Sequence, residues 1–182
     1  MNYLFIDTET GGLDTNTSLL QAYFLLTDDK FEQVAELDLK IRPNDGIYKV
    51  TSQAINVNQI DLIEHNKESI TESYAKDLLN DFFARTFKGV KFMPVGWNVG
   101  FDLAFIHEHL MDKKTWEQAN WYGTIDVHSI YRYLKLNGKL PSECEDGLGK
   151  VADFLQVEHG SLHSAKADTI LTKDLFKKLL TL

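Results

Sequence analysis

The sequence predicts an α/β domain with a mixed central sheet, and three observations carry that expectation. Within the first 42 residues lie three β-like runs, at about 3–7, 19–27 and 34–42, joined by connections short enough for an antiparallel meander. After them, short apolar runs alternate with stretches of helical periodicity, the pattern of an α/β fold with helices flanking the sheet. The chain has 182 residues and is 43% hydrophobic, enough to bury a sizeable core within one domain spanning 1–182.

The elements follow in order. YLFID opens the chain as a strand that looks buried, LLQAYFLLT is the second strand and VAELDLKIRP the third. IRPNDGIYKV is rich in turn residues, and TSQAINVNQI holds a short helix. In SITESYAKDLLNDFFARTF, Tyr74, Leu78, Leu79, Phe82 and Phe83 recur at helical spacing. KFMPVGW, residues 91–97, reads as a buried strand, and FDLAFIHEHL, residues 101–110, as a helix. YGTIDVHSIYRYL passes from a short strand into a helix, and DGLGKVADFLQV is helical. SAKADTILTKDLFKKLLTL is the last helix, with Ile170, Leu171, Leu175, Phe176, Leu179 and Leu180 at helical spacing. Pro43, Pro94 and Pro141 fall at element edges.

A net charge of −8 argues against a protein that coats nucleic acid through a basic face, but allows an enzyme that grips a strand end through metal ions. No apolar run approaches the ~20 residues of a membrane span, and no basic leader precedes the first strand, so neither a membrane anchor nor a signal peptide is expected. The single cysteine, Cys144, excludes an internal disulfide and fits a reducing cytoplasm.

Chemistry concentrates in three places. The first strand ends in Asp7 and Glu9, followed by Gly11 and Gly12. Two residues apart on a strand, the two carboxylates leave the backbone on one side. Two anions that close repel, and a hard divalent cation compensates them. The second place is GWNVGFDLAFI, where a buried strand turns through Asn98 and Gly100 and delivers Asp102 to the first turn of a helix. The third is GSLHSAKADTILTKDLF, where His163 precedes the last helix and Asp168 follows five residues later beside its inward stripe, with Ser161 or Ser164 available as a cap.

D-x-E, N-x-x-F-D and H-x-x-x-x-D, in this order and spanning Asp7 to Asp168, resemble the DEDD superfamily of 3′→5′ exonucleases. His163 is present, and Ser164 stands where the tyrosine branch carries Tyr, so the resemblance is to the DEDDh, DnaQ-like branch, which includes proofreading subunits of bacterial replicative DNA polymerases. The resemblance implies a ribonuclease H-like fold. It implies that Asp7, Glu9, Asp102 and Asp168 bind two divalent cations, Mg²⁺ or Mn²⁺, and that His163 is the general base. It implies that Thr10, Gly11, Gly12, Leu13 and Asn98 contact the terminal nucleotide, with Leu13 stacking on it. The activity it implies is hydrolysis of single-stranded 3′ ends to 5′-mononucleotides. DNA is the first choice of substrate, because TETGGLD and NVGFD most resemble DNA-acting members. An exoribonuclease that trims RNA ends or degrades short oligonucleotides is the runner-up. A non-catalytic docking subunit would be marked by loss of a site acid, and all four acids are present. Implied partners are DNA or RNA 3′ ends, and a polymerase or another replication or repair protein docked on the folded surface.

Other residues take plainer readings. Phe101 packs, and Asp126 is structural, capping the helix that follows. His107 and His109, two apart on a helix, point to different faces and form no zinc pair. Trp116, Trp121 and Tyr122 are packing residues before they are base-stacking ones, and Lys166 is solvated.

Overall fold

The structure is a computed structural model that describes every residue from Met1 to Leu182. Three long strands, β1 (Asn2–Thr10), β2 (Leu19–Thr27) and β3 (Gln33–Arg42), form the expected antiparallel meander. Two short helices follow, α1 (Ser52–Asn58) and α2 (Leu62–Glu68), then the two-residue strand β4 (Ile70–Thr71) and the long helix α3 (Glu72–Thr86). β5 (Phe92–Gly96), α4 (Val99–His109), α5 (Lys113–Ala119), β6 (Ile125–Asp126), α6 (Val127–Leu136), α7 (Leu148–Leu155) and α8 (Ala165–Leu179) complete the chain.

The six strands form one mixed sheet in the order β4-β3-β2-β1-β5-β6. β1 pairs antiparallel with β2 and parallel with β5, and β5 pairs parallel with β6. From β1 the chain leaves toward β2 and β3, and it returns on the other side at β5. A ligand crevice in an open α/β sheet forms at such a reversal, outside the carboxyl ends of the strands.

Alternation along β1 sorts its side chains between two cores. Leu4 and Ile6 join Phe24, Leu79, Phe92, Phe105 and Trp116 on the face covered by α3, α4 and α5. Phe5 joins Tyr23, Val95, Tyr131, Leu175 and Phe176 on the face covered by α6, α7 and α8. Each core is built around stacked or edge-on aromatic rings, Phe83, Phe92 and Trp116 in the first and Phe5, Phe31 and Phe176 in the second.

β1 differs from its expected extent. It continues through Thr10, so Asp7 and Glu9 lie inside the strand rather than at its end, opposite Tyr23 and Gln21 of β2. Gly11 is the true stop. A Cβ on Gly11 would meet the Lys49 carbonyl oxygen at 2.3 Å, and the Gly11 backbone bonds Ser18 and Thr51 on either side. α2, β4 and α5 were not among the expected elements. No helix is long and apolar enough to cross a membrane.

Candidate active site

The site forms where the sheet splits. β5 follows β1 only as far as the Phe5–Val95 pair, so beyond it β1 is hydrogen-bonded on the β2 side alone. Asn98, in the left-handed conformation (φ 64°, ψ 42°), turns the chain sharply out of β5 into α4. Such a φ suits Asn among non-glycine residues. The Asn98 N–H donates to Asp126 Oδ1 at 2.8 Å, which ties this turn to the end of β6. Asp126 therefore serves the scaffold, as expected. It sits at the cap position of α6 without bonding that helix's backbone, and takes the Ser129 hydroxyl instead.

The turn places Asp102 in the first turn of α4, 3% exposed. Thr8, which points to the α4 side of β1, donates its hydroxyl to Asp102 Oδ1 at 2.7 Å. From the opposite face, α8 packs across β1 and β2. Its start is fixed by Ser164, which caps through the Ala167 amide, and by Gln21, whose Oε1 accepts the Ala165 N–H. That register lays Asp168 against the Asp7 and Glu9 face. Carboxylate oxygens of Asp7, Glu9 and Asp168 all lie within 4.8 Å of one another. Asp102 stands beside this trio rather than within it, held by Thr8. His163 precedes the helix on an exposed loop with φ 71°, and its amide donates to Asp168 Oδ2 at 3.2 Å. A pocket of about 300 Å³ runs past His163 and Asp168 toward His159 and the α7 start.

The electrostatics are those of anions crowded out of water. Burial, then repulsion from Asp102, Glu9 and Asp168, holds the Asp7 pKa well above the ordinary carboxylate range. Burial followed by Asp168 and Asp102 pushes Glu9 up to about 7. Burial pushes Asp102 to about 7 despite the hydrogen bonds from Thr8. Burial also raises Asp168, against the lowering effect of the His163 amide and of the His163 and His159 rings.

These residues fit divalent metal. The donor set is all oxygen, as hard cations require. Asp168 Oδ1 is buried with no hydrogen-bond partner, an arrangement that costs free energy unless something else is bound there. The protons retained by Glu9 and Asp102 near neutrality mark charge that a cation would compensate.

Of the residues expected to contact a nucleotide, Thr10 to Leu13 follow directly on the acids of β1, and Asn98 turns the chain into α4. Leu13 is 89% exposed just past the end of β1. Thr10 is buried and donates its hydroxyl to the Gly12 carbonyl, while the Gly11 N–H is spent on Ser18. Packing against the Lys49 carbonyl also requires glycine at position 11. A Cβ on Gly12 would meet Thr17 at 2.9 Å. Phe101 packs against Phe105, as expected, with the rings tilted and their centroids 5.0 Å apart. Trp116 is buried in the core, Trp121 and Tyr122 are exposed, and Lys166 pairs with Glu36 over the Tyr23 ring.

Four supporting residues escape a reading of the sequence. Thr8 lies inside D-x-E, and its place between the acids was the available signal. Gln21 lies opposite Glu9 and anchors α8. Asn58 donates its amide to the Thr10 carbonyl from α1, buried, at 3.2 Å. His109 fastens the loop after β1. The last three act across the fold and leave no local pattern.

No protein-family model and no curated protein sequence matches the chain. Its fold does match solved structures. E. coli exonuclease I in complex with a dT13 oligonucleotide superposes with a TM-score of 0.77 at 19% identity, over 99% of this chain and 41% of that one. The fold is ribonuclease H-like. An ExoI/SSB-Ct complex matches at 0.75 and 18% identity, over 99% and 41%. A moderately thermophilic exonuclease I from Methylocaldum szegediense matches at 0.73 and 17%, over 98% and 40%. The chain spans about two fifths of the length of these structures.

Proposed function

We propose that the protein is a metal-dependent 3′→5′ exonuclease of the DEDDh type, acting on single-stranded DNA ends and releasing 5′-mononucleotides. One observation carries the reading: acids from three distant segments converge where β5 leaves β1, on the fold of exonuclease I. The dT13 oligonucleotide bound by that E. coli neighbour supports DNA over RNA as the substrate.

Asp7, Glu9, Asp102 and Asp168 would hold two divalent cations, Mg²⁺ or Mn²⁺. When bound, such ions supply Lewis acidity toward a phosphate and lower the pKa of water. The chain's own residues do the rest. Thr8 orients Asp102 through its hydroxyl. His163, on its exposed loop, accepts the proton of the attacking water at a ring nitrogen, a role suited to an imidazole near neutrality. Water oxygen joins the phosphorus, the bond to the 3′ oxygen breaks, that oxygen takes a proton from solvent to become the new 3′-hydroxyl, and His163 returns its proton to solvent. Leu13 lies against the terminal base, and Asn98, Thr10, Gly11 and Gly12 shape the floor beside it. A duplex end must fray before its last phosphodiester reaches acids set this far into the sheet edge, which selects single strands. The buried, unpaired Cys144 fits a reducing compartment such as the cytoplasm.

The test uses DNA and RNA single strands of one sequence, labelled at the 5′ end, incubated with protein and Mg²⁺ or Mn²⁺. A ladder that shortens from the 3′ end, faster for DNA, is the expected result. Faster shortening of RNA would move the substrate to RNA, and no shortening with either metal would overturn the reading.

A further inference from the structure

The loop that follows β1, residues 11–17, carries Leu13 and closes mostly on itself. The Thr17 amide and hydroxyl both donate to the Asp14 carbonyl, and the Asn16 amide donates to Asp14 Oδ1. At its root the Gly11 amide bonds the Ser18 carbonyl. One hydrogen bond ties residues 12–17 to a helix, and it comes from His109 at the last turn of α4. His109 Nε2 lies 2.8 Å from the Thr15 carbonyl oxygen, and His109 Nδ1 lies 3.0 Å from Glu72 Oε2 at the start of α3. A carbonyl and a carboxylate only accept. Both contacts are hydrogen bonds at once only when the ring carries a proton on each nitrogen. The His109 side chain is 13% exposed and Glu72 is 21% exposed, and the ring stacks on Phe105 at 5.9 Å and 10°. Lys76 takes the other Glu72 oxygen at 3.2 Å, which fixes the carboxylate without displacing it from His109.

We propose that His109 is a positioning residue for the terminal nucleotide: by donating to Thr15 and Glu72 together, it pins the 11–17 loop to the helical layer and so fixes where Leu13 stands. The inference rests on the nuclease reading above. His109 touches neither substrate nor the acid cluster. It acts through the loop, so its loss weakens nucleotide binding and leaves the chemical step alone.

The test compares wild type with His109→Ala and His109→Gln, by amide hydrogen exchange and by kinetics on a single-stranded DNA. In His109→Ala, exchange of residues 11–18 rises by about tenfold or more, the scale of a lost charge-assisted hydrogen bond. KM rises about tenfold as well, while kcat stays within twofold. His109→Gln, which donates one of the two bonds, recovers part of both. Should His109→Ala fail to fold, Glu72→Gln reports on the same link, with smaller shifts in the same directions. Unchanged exchange in the loop overturns the proposal, and so does faster exchange with unchanged KM. A wild type that binds the strand without cutting it overturns the nuclease reading alone, and the comparison is then made in Kd. A wild type that neither binds nor cuts overturns both.

Discussion

Thr8 and Asp102 are 94 residues apart in sequence and 2.7 Å apart in space, joined by a buried hydrogen bond. The bond lies on the α4 face of β1, opposite the face that carries Asp7 and Glu9. Asp7 and Glu9 point toward α8, Thr8 points toward α4, and the hydroxyl carries Asp102 to the rim of the acid cluster. A strand that exposes one residue to each face in turn thus addresses acids arriving from both.

Thr8→Val removes the hydroxyl at nearly constant shape and leaves the buried Asp102 without its side-chain donor. The cost is about 1–3 kcal/mol above pH 7, where the carboxylate is charged. Metal affinity and exonuclease rate should both fall, and Thr8→Ser should retain most of each. Thermal unfolding and Mn²⁺ titration of the two variants check this. Equal behaviour of valine and serine would remove Thr8 from the site.

Gly11→Ala brings a Cβ to within 2.3 Å of the Lys49 carbonyl, a backbone atom that cannot step aside. Overpacking of this kind costs about 1–3 kcal/mol, read as a lower Tm. Gly100→Ala is the contrast, because its Cβ meets nothing within 4 Å and the position is helical. There alanine should leave Tm unchanged or raise it.

In the metal-free protein, burial keeps Glu9 and Asp102 protonated to about pH 7, against ordinary values of 4.5 and 3.8. Between those limits the folded state binds more protons than the unfolded one. The stability this contributes is full below about pH 4 and is lost as pH rises through about 7. Tm in EDTA should therefore decline from pH 5 to 8, and Glu9→Gln should flatten the decline. Metal needs the ionised carboxylates, so the rise in Tm caused by Mg²⁺ should grow over the same interval. A Mg²⁺ effect larger at pH 5 than at pH 8 would contradict this electrostatic reading.

His163→Ala should lower kcat by ~10²–10⁴, the usual share of a general base, with metal affinity intact. Single-turnover kinetics and Mn²⁺ titration separate the two. A large loss of metal binding would make His163 a ligand.

The sequence displayed the acids because their spacing is local. Asp7 and Glu9 stand two apart on a strand, Asp102 follows an Asn turn, and Asp168 opens a helix. The meander was legible because β2, with Leu19, Leu20, Tyr23, Phe24, Leu25 and Leu26 all buried, is apolar on both faces. The end of β1 was hidden because Thr8, Glu9 and Thr10 look like a turn until their partners are known. Thr8 is satisfied by α4 and Thr10 by the Gly12 carbonyl, and both are buried. α2 and α5 each bury a single side chain, His65 and Trp116, too little for a periodic stripe to show. His109 was visible only as one of two histidines without a zinc pattern, because its partners lie 37 and 94 residues away.

The most direct test of the central claim is Mg²⁺-dependent shortening of a 5′-labelled DNA strand by wild type and by Asp7→Ala. Asp7 is the acid most strongly opposed by its neighbours. Its removal should abolish the ladder, while Tm in EDTA stays level or rises as the repulsion is relieved. An Asp7→Ala protein that shortens the strand at the wild-type rate would contradict the assignment of this cluster as the catalytic centre.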